Sequence, residues 1–166
     1  MNITIIVATD LIGTIGKQGR IPWRLKADMD HFKKVTGNHV VVMGQKTYES
    51  LPEKFRPLPD RINVVLTKDP EFKAIGCDVM YSVDEVFSAY GNQEIFVMGG
   101  GEIYKLFSDY ASRLLITTVI TVIPDGDTFF KIPGRKLEWR RSILFRKEPD
   151  EQNQFAFYVT EYTEGG

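Results

Sequence analysis

The residue of this chain best placed to do chemistry is one acidic side chain on the apolar face of a predicted helix. Leu25, Met29, Phe32 and Val35 recur at helical spacing and form an apolar stripe. Asp28 stands three residues after Leu25 and four before Phe32, so the helix directs its carboxylate along that stripe. Burial of an unpaired carboxylate is costly or shifts its pKa, which favours a bound partner. The alternative is an acid near the first helical turn, stabilised by the helix dipole and turned towards water.

Glycine follows two predicted strands, at Gly44 and at Gly99, Gly100 and Gly101. At such a junction glycine lets the backbone come close to a ligand, and the start of the next helix presents free N–H groups to an anion. Two junctions on adjacent strands would hold the two halves of a pyrophosphate. The alternative is that each glycine only makes a tight turn.

An arginine, Arg61, follows the proline-containing segment 56–60. The prolines stiffen its approach, and a fixed guanidinium suits a bidentate carboxylate. The alternative is a surface charge beside Asp60.

Several functional classes are disfavoured. No G-x-G-x-x-G follows a strand, and no glycine lies five positions before Gly44 to make a phosphate-binding loop with Lys46. His31 and His39, the only histidines, lack metal-ligand spacing, and no Ser/His/Asp nucleophile set can be assembled, so we expect no metal. The candidate chemistry is therefore one in which a cofactor supplies the reactivity.

Composition and charge describe an ordinary soluble globule. The formal charge of −1 gives no basic surplus for nucleic acid. Cys77, the single cysteine, is expected to be a free thiol in a loop, in a reducing compartment. The apolar run 3–8 is too short to span a membrane, and the protein is expected to be cytoplasmic.

The element pattern predicts an α/β fold in a single domain over residues 1–166. Apolar runs at 3–8, 40–43, 64–66, 95–98 and 114–116 are typical of buried parallel strands. Helical patterns at 25–36, 47–51, 83–90 and 102–107 alternate with them, and Ser82 is the predicted N-cap of the third. We expect a mostly parallel central sheet with about four helices on its two faces. Alternation at 155–160 and the run 137–147, separated by a polar turn at 148–154, predict an antiparallel hairpin at one edge.

Two loops are candidates for function. Residues 10–24, called the lid below, form a long loop with Gly13, Gly16 and Gly19, which would let it move. Residues 121–133 contain strong turn chemistry at Pro124–Thr128.

Taken together, these residues identify a family. Over nearly its whole length the chain resembles dihydrofolate reductases of the short bacterial type. The motifs that carry the resemblance are Ile15-Gly16, Pro22-Trp23, Asp28 with Phe32, Met43-Gly44-x-x-Thr47-Tyr48-Glu49-Ser50, Arg56-Pro57-Leu58-Pro59-x-Arg61, Gly99-Gly100-Gly101-x-Ile103-Tyr104 and Gly126-Asp127-Thr128.

The resemblance implies NADPH-dependent hydride transfer that reduces 7,8-dihydrofolate to tetrahydrofolate. Asp28 would then bind the amidine-like edge of the pterin, Thr117 would bridge that carboxylate and the pterin, and water would deliver the proton. Ile21 and Trp23, in the lid, would exclude bulk water. The residues implied to contact the substrate are Ile6, Asp28, Met29, Phe32, Leu51, Arg61, Met98, Tyr104 and Thr117.

The resemblance also implies where NADPH would bind. The lid would close over both ligands, braced by Asp127 through the Gly16 backbone. The implied cofactor residues are Val7, Ala8, Ile15, Gly16, Gly44, Gln45, Lys46, Thr47, Leu66, Thr67, Lys68, Met98, Gly99, Gly100, Gly101, Glu102, Ile103 and Tyr104.

The chain departs from the family pattern at the adenosine end of this site. Gln45 stands where many members carry an arginine for the 2′-phosphate, and Glu102 replaces a residue that is basic in some members.

Two alternatives stay open: a pyrimidine reductase of riboflavin synthesis, and a nucleotide-binding module without turnover. The expected partners are dihydrofolate and antifolate inhibitors, with no nucleic acid and no membrane, and the expected state is a monomer.

Overall fold

Ten strands and four helices make up the computed structural model, which describes residues 1–134 and 138–165. The strands are β1 (Asn2–Thr9), β2 (Thr14–Gly16), β3 (Val40–Gly44), β4 (Ile62–Leu66), β5 (Asp78–Met80), β6 (Glu94–Val97), β7 (Arg113–Val119), β8 (Thr128–Phe129), β9 (Trp139–Lys147) and β10 (Phe157–Glu164). The helices are α1 (Lys26–Thr36), α2 (Gln45–Ser50), α3 (Val83–Tyr90) and α4 (Gly101–Phe107), with a short 3-10 turn at Glu53–Phe55.

Eight of the strands form one sheet in the order β5-β4-β3-β6-β1-β7-β10-β9. The first six in this order are parallel, whereas β10 runs antiparallel to β7 and β9 antiparallel to β10. The remaining two, β2 and β8, pair with each other and join the lid to the 121–133 loop. The predicted α/β fold with an antiparallel edge hairpin is therefore confirmed.

Both faces of the sheet are covered, which explains the unbroken apolar runs. Along β3, Val40 and Val42 pack on the side of α3 and α4, while Val41 and Met43 pack on the side of α1 and α2. All four of these side chains are fully buried. A strand buried on both faces has no polar alternation, because neither face meets water.

Several local details differ from the sequence-based expectations. The predicted Ser82 cap is confirmed, since its hydroxyl accepts the Glu85 N–H at 3.2 Å. The second helix begins at Gln45, two residues before the predicted start. Cys77 is a half-buried free thiol, but the chain directly after it forms β5, a strand too short to be recognised from its pattern. Leu137, the predicted start of the hairpin, lies outside the described residues.

The carboxyl ends of the parallel strands lie along one edge of the sheet. The connection that leaves β1 contains α1, whereas the connection that leaves its neighbour β6 contains α4, on the opposite face. Connections that diverge from adjacent strands open a crevice at their carboxyl ends, which is where α/β folds bind ligands. The predicted functional residues cluster in this crevice, called the cleft below.

Candidate active site

Asp28 lies in the first turn of α1, and its carboxylate reaches the neighbouring strand β7. The Thr117 hydroxyl donates a hydrogen bond to Asp28 Oδ1 at 2.6 Å. Burial raises the pKa of Asp28 to about 6, and the hydrogen bond from Thr117 offsets only part of that rise. Within residues 1–134 and 138–165 no cation pairs with this carboxylate. Asp28 is therefore an acid with a perturbed pKa and capacity left to bind a ligand.

One wall of the cleft beside Asp28 is apolar and ends at an arginine. Phe32 and Leu51 pack against the core on the α1 and α2 side of the sheet. The guanidinium of Arg61 lies 5.8 Å from the centre of the Phe32 ring. Two of its N–H groups donate to the Pro59 carbonyl at 2.8 Å and to the Thr36 hydroxyl at 3.2 Å. Arg61 is thus held in place, as the proline-containing approach predicts.

Met29 occupies a different place from the one its spacing predicts. Its side chain is 57% exposed, although Leu25, Phe32 and Val35 of the same stripe are buried or half-buried. It therefore lies outside the part of the helix face that packs on the sheet.

The two glycine junctions meet, because β3 and β6 are adjacent. The Gly44 N–H donates to the Gly99 carbonyl at 2.8 Å, and the Gly99–Gly100 peptide is cis. Gly99 has φ of +121°, and a Cβ there would lie 3.2 Å from the Tyr104 hydroxyl. A Cβ at Gly100 would lie 3.4 Å from the Thr47 hydroxyl. The glycines therefore leave a space that side chains would fill.

Tyr104 connects this glycine segment to the central strand. Its hydroxyl donates to the Ile6 carbonyl at 2.9 Å, and burial raises its pKa well above the usual value. The phenol is therefore a neutral donor, which fixes the Ile6 carbonyl at the carboxyl end of β1.

The predicted 2′-phosphate region contains a polar pair that is already hydrogen-bonded. The Thr67 hydroxyl donates to Gln45 Oε1 at 2.6 Å, and the Gln45 amide donates to Glu49 at 2.9 Å. Glu102 is exposed and lies 3.5 Å from Lys105. Gln45 and Thr67 are therefore the groups at the predicted phosphate position, and both are uncharged, whereas a cation there would favour a phosphate.

A second buried carboxylate, Asp10, lies where the lid leaves β1. It is 2% exposed and accepts three backbone N–H groups, from Thr14 at 2.8 Å, Ile12 at 3.0 Å and Ile123 at 2.8 Å. Burial raises the pKa of Asp10, but these hydrogen bonds outweigh that effect and bring the pKa below its usual value. Asp10 therefore joins the base of the lid to the 121–133 loop.

Asp127 holds the middle of the lid from the same loop. Its backbone N–H donates to the Gly16 carbonyl at 3.1 Å, and its carboxylate accepts the Gln18 N–H at 2.7 Å. The hydrogen bonds that this carboxylate accepts from the Gln18 N–H and the Thr128 hydroxyl lower the pKa of Asp127, which is exposed. The contact with Gly16 thus uses the Asp127 backbone, whereas the Asp127 side chain bonds to Gln18, two residues further along the lid.

The far half of the lid does not reach Asp28. Ile21 is 69% exposed and lines a depression of about 710 Å³ with other lid residues, a depression that Asp28 does not line. Trp23 packs beside Leu25 against Val119 and Phe157. The structure thus brings together the candidates on β1, α1, α2, β6, α4 and β7, but it leaves Ile21 outside.

The other predicted cofactor residues stand at strand ends or element starts around the same cleft. They are Val7 and Ala8 in β1, Ile15 in β2, Lys46 and Thr47 in α2, Leu66 at the end of β4 with Lys68 just after it, Met98 after β6, and Gly101 and Ile103 in α4.

Sequence reasoning missed two buried polar residues that organise the site, Asp10 and Asn153. Both are almost inaccessible to solvent. For Asp10 a signal exists, because an acid directly after a buried strand is well placed to accept loop N–H groups. For Asn153 the signal is weak, because asparagine is common in turns and exposed there.

The described residues provide neither a metal-binding cluster nor a membrane-spanning helix. They contain no group of three or more His, Cys, Asp or Glu arranged to hold a metal ion. Among the helices described, none is long and apolar enough to cross a membrane.

A mostly parallel sheet with a cleft at its carboxyl ends, lined on one side by glycine and bearing an acid with a raised pKa, is typical of an α/β nucleotide-binding enzyme. The dihydrofolate reductase family model matches residues 2–164 of this chain. The chain therefore belongs to the dihydrofolate reductase family.

Individual relatives agree with this assignment. The dihydrofolate reductase of Staphylococcus haemolyticus is 32% identical over 163 residues, which is 98% of this chain and 95% of that protein. The enzyme of Mycobacterium tuberculosis is 42% identical over 137 residues, 78% of this chain and 83% of that protein. Among solved structures, dihydrofolate reductase from Enterococcus faecalis complexed with NADP(H) and RAB-propyl superposes with a TM-score of 0.87 and 30% identity, over 99% of this chain and 97% of that one. These matches favour the reductase over the two alternatives raised by the sequence.

Proposed function

We propose that this chain reduces 7,8-dihydrofolate to 5,6,7,8-tetrahydrofolate with NADPH, and that Asp28 is the catalytic carboxylate that binds and orients the pterin. The reaction and the cofactor are those of the family to which the chain belongs. The observation that carries the role of Asp28 is its hydrogen bond with Thr117, in a cleft where no cation of residues 1–134 and 138–165 pairs with it.

Asp28 binds and orients the substrate in this proposal. The pterin presents neighbouring N–H groups, and a carboxylate binds such an edge through charge-assisted hydrogen bonds. One oxygen of Asp28 already accepts from Thr117, and the other remains for the ring. The negative charge also favours the electron distribution of the ring that accepts hydride, and a water molecule delivers the proton.

The remaining substrate residues fit a flat ring with a charged tail. Phe32, Leu51 and Met29 would line the slot, and Met29 would lose its exposure when the slot is filled. Arg61, held by Pro59 and Thr36, would pair with a tail carboxylate. The carbonyls of Ile6 and Met98 would face the ring at the carboxyl ends of β1 and β6.

The residues present fit NADPH, which supplies the hydride when bound. A side chain at Gly99 or Gly100 would fill space beside Tyr104 and Thr47, and glycine leaves that space free for the nicotinamide and the pyrophosphate. The Thr47 hydroxyl and Lys46 would contact phosphate, and Gln45, Thr67 and Lys68 would contact the adenosine 2′-phosphate. Ile15, Gly16, Ile21 and Trp23 would close over the site with the lid.

We also propose that the protein acts as a cytoplasmic monomer that binds antifolate inhibitors and neither nucleic acid nor membranes. The balanced net charge of −1 supports this proposal, because it offers no attraction to polyanionic surfaces.

The test is the loss of reduced-nicotinamide absorbance with the purified chain and dihydrofolate, run in parallel with NADPH and NADH. We expect rapid folate-dependent oxidation of NADPH and slower oxidation of NADH. Equal rates would retain the reductase and remove the preference for NADPH. A folded protein that binds NADPH and oxidises neither cofactor would contradict the proposed function.

A further inference from the structure

Asn153 is a buried side chain in the turn between β9 and β10 that bonds to the start of α1. It is 3% exposed. Its Oδ1 accepts the Ala27 N–H at 2.9 Å, and its Nδ2 donates to Asp150 Oδ1 at 2.9 Å. Both ends of the amide are therefore used, and one of them acts on the residue that directly precedes Asp28.

The helix that carries Asp28 lacks a cap of its own. Leu25 occupies the N-cap position and offers no side-chain acceptor. The first N–H groups of a helix have no partner within it, so an outside acceptor is required. The β9–β10 turn supplies two acceptors: Asn153 Oδ1 for Ala27, and the Gln152 carbonyl, at 3.0 Å, for the Lys26 N–H.

The turn that presents Asn153 is itself braced. The Asp150 carboxylate accepts the Gln152 N–H at 2.8 Å and pairs with Lys147 at 2.7 Å. Asp150 and Asn153 also exchange backbone hydrogen bonds at 3.0 and 3.3 Å. The amide is therefore held in one orientation before it meets α1.

We infer that Asn153 is a positioning residue for catalysis, which fixes the first turn of α1 and thereby the direction of the Asp28 carboxylate towards Thr117 and the pterin. This inference rests on the proposed function. Its physical basis is that, among the described residues, Thr117 alone bonds to the Asp28 carboxylate itself, so the direction of that carboxylate depends on how the first turn of α1 is held. A small rotation of the first helical turn would move the carboxylate, and misplacement of a reacting group is costly in rate.

The lysines at the junction between α1 and the β9–β10 turn are paired with carboxylates other than Asp28. Lys26 pairs with Asp30 along α1, and Lys147 pairs with Asp150 in the turn. No ion pair reaches Asp28 from the described residues, and burial together with the Thr117 hydroxyl sets its pKa. A charge introduced at position 153 therefore acts on an otherwise unpaired carboxylate.

The experiment compares Asn153→Ala and Asn153→Asp with Glu151→Gln, a change at an exposed residue of the same turn. Single-turnover hydride transfer at saturating NADPH and dihydrofolate is measured across pH, and thermal unfolding is recorded for each variant. Asn153→Ala is expected to lower the hydride-transfer rate about fivefold. Asn153→Asp keeps an acceptor for Ala27 but loses the donor to Asp150 and adds a negative charge, so it should also raise the midpoint of the pH–rate profile by about half a unit. Glu151→Gln should change neither.

A purely structural role gives a different result. If both Asn153 variants unfold at lower temperature while the saturated hydride-transfer rate and the pH midpoint match those of the wild type, the inference is overturned. If Asn153→Ala does not fold, Asn153→Asp decides through its saturated hydride-transfer rate, which should fall because the Ala27 acceptor is no longer braced by Asp150, and a wild-type rate would overturn the inference. A wild-type chain that does not turn over dihydrofolate would overturn the proposed function, and this inference with it.

Discussion

Asp10 and Asp28 are two buried acids at the same edge of the sheet, and their surroundings push their pKa values in opposite directions. Asp10 accepts three backbone N–H groups, and its pKa falls below the usual value despite burial. Asp28 accepts one hydroxyl, and its pKa rises to about 6. Desolvation raises the pKa of both carboxyls, but the three N–H donors to Asp10 outweigh it, whereas the single hydroxyl donor to Asp28 does not.

The difference separates a structural carboxylate from a functional one. All the hydrogen bonds to Asp10 come from the protein, so the carboxylate has little left to offer a ligand. Asp28 has spare acceptor capacity in a cleft, which is the arrangement expected of a group that binds substrate. The two residues are therefore expected to respond in opposite ways to the same isosteric change.

The largest expected effect is on turnover by Asp28→Asn. The amide cannot supply the negative charge that orients and polarises the pterin, so dihydrofolate reduction should fall by about a hundredfold or more. NADPH binding should persist, because none of the proposed cofactor residues lies on α1, the helix that carries Asp28. Steady-state kinetics and a cofactor titration measure the two quantities, and turnover near the wild-type rate would remove Asp28 from the mechanism.

The second-largest effect is expected for Asp10→Asn, which should lower the free energy of unfolding. Replacing one oxygen by an NH₂ group sets donor against donor and leaves buried N–H groups unpaired, so the free energy of unfolding should fall by about 2–4 kcal/mol at neutral pH. Because the folded pKa of Asp10 is lowered, its contribution is present above the unfolded pKa and is lost as pH falls through the folded value. Urea unfolding from neutral to acidic pH measures this.

Asp127→Asn is the matched comparison for that experiment. Its carboxylate is exposed and accepts the Gln18 N–H, so the loss of stability should be smaller than for Asp10→Asn. Equal losses in the two variants would mean that burial of Asp10 adds nothing.

Asp28→Asn should have the opposite effect on stability. A folded pKa of about 6, above the usual 3.8, means that stability is full below the unfolded pKa and is lost as pH rises through about 6. Removing the charge should therefore stabilise the ligand-free protein by up to about 3 kcal/mol near pH 8, with the gain vanishing towards about pH 4. A gain that does not vary with pH would contradict this account of Asp28.

The smallest expected effect is a shift in titration by Thr117→Val. Without the hydroxyl, the carboxylate of Asp28 loses its stabilising donor, and its pKa should rise by about half to one unit. The pH dependence of hydride transfer measures this shift. Thr118→Val, the neighbouring position on the other face of β7, is the control and should leave the midpoint unchanged.

The sequence predicts strands buried on both faces well, because Val40–Met43 and Ile3–Ala8 leave few other structures open. It also predicts the Ser82 cap, since the acceptor and the helix are adjacent in the chain. It does not predict β2, β5 or β8, whose two or three residues carry no period. Asp28 can be recognised in the sequence because its spacing from Leu25 and Phe32 in a helix determines the face on which its side chain lies.

The partners of Asp10 and Asn153 are invisible in the sequence for a physical reason. Both side chains bond to backbone N–H groups, which every residue except proline possesses. No residue type therefore marks the other half of the contact. Met29 illustrates the reverse case, because its spacing places it on the apolar stripe but no neighbouring element of the described residues covers it.

The cap on α1 also has a consequence for how the protein assembles. The Asn153–Ala27 bond joins positions 126 apart in the chain, and the Thr117–Asp28 bond joins positions 89 apart. Contacts between such distant segments form only after a large loss of chain entropy, so they come together late compared with local helices. The strand–helix unit β1–α1, which contains Asp28, therefore does not by itself make a competent cleft. Catalytic competence appears only when segments distant along the chain have closed on each other.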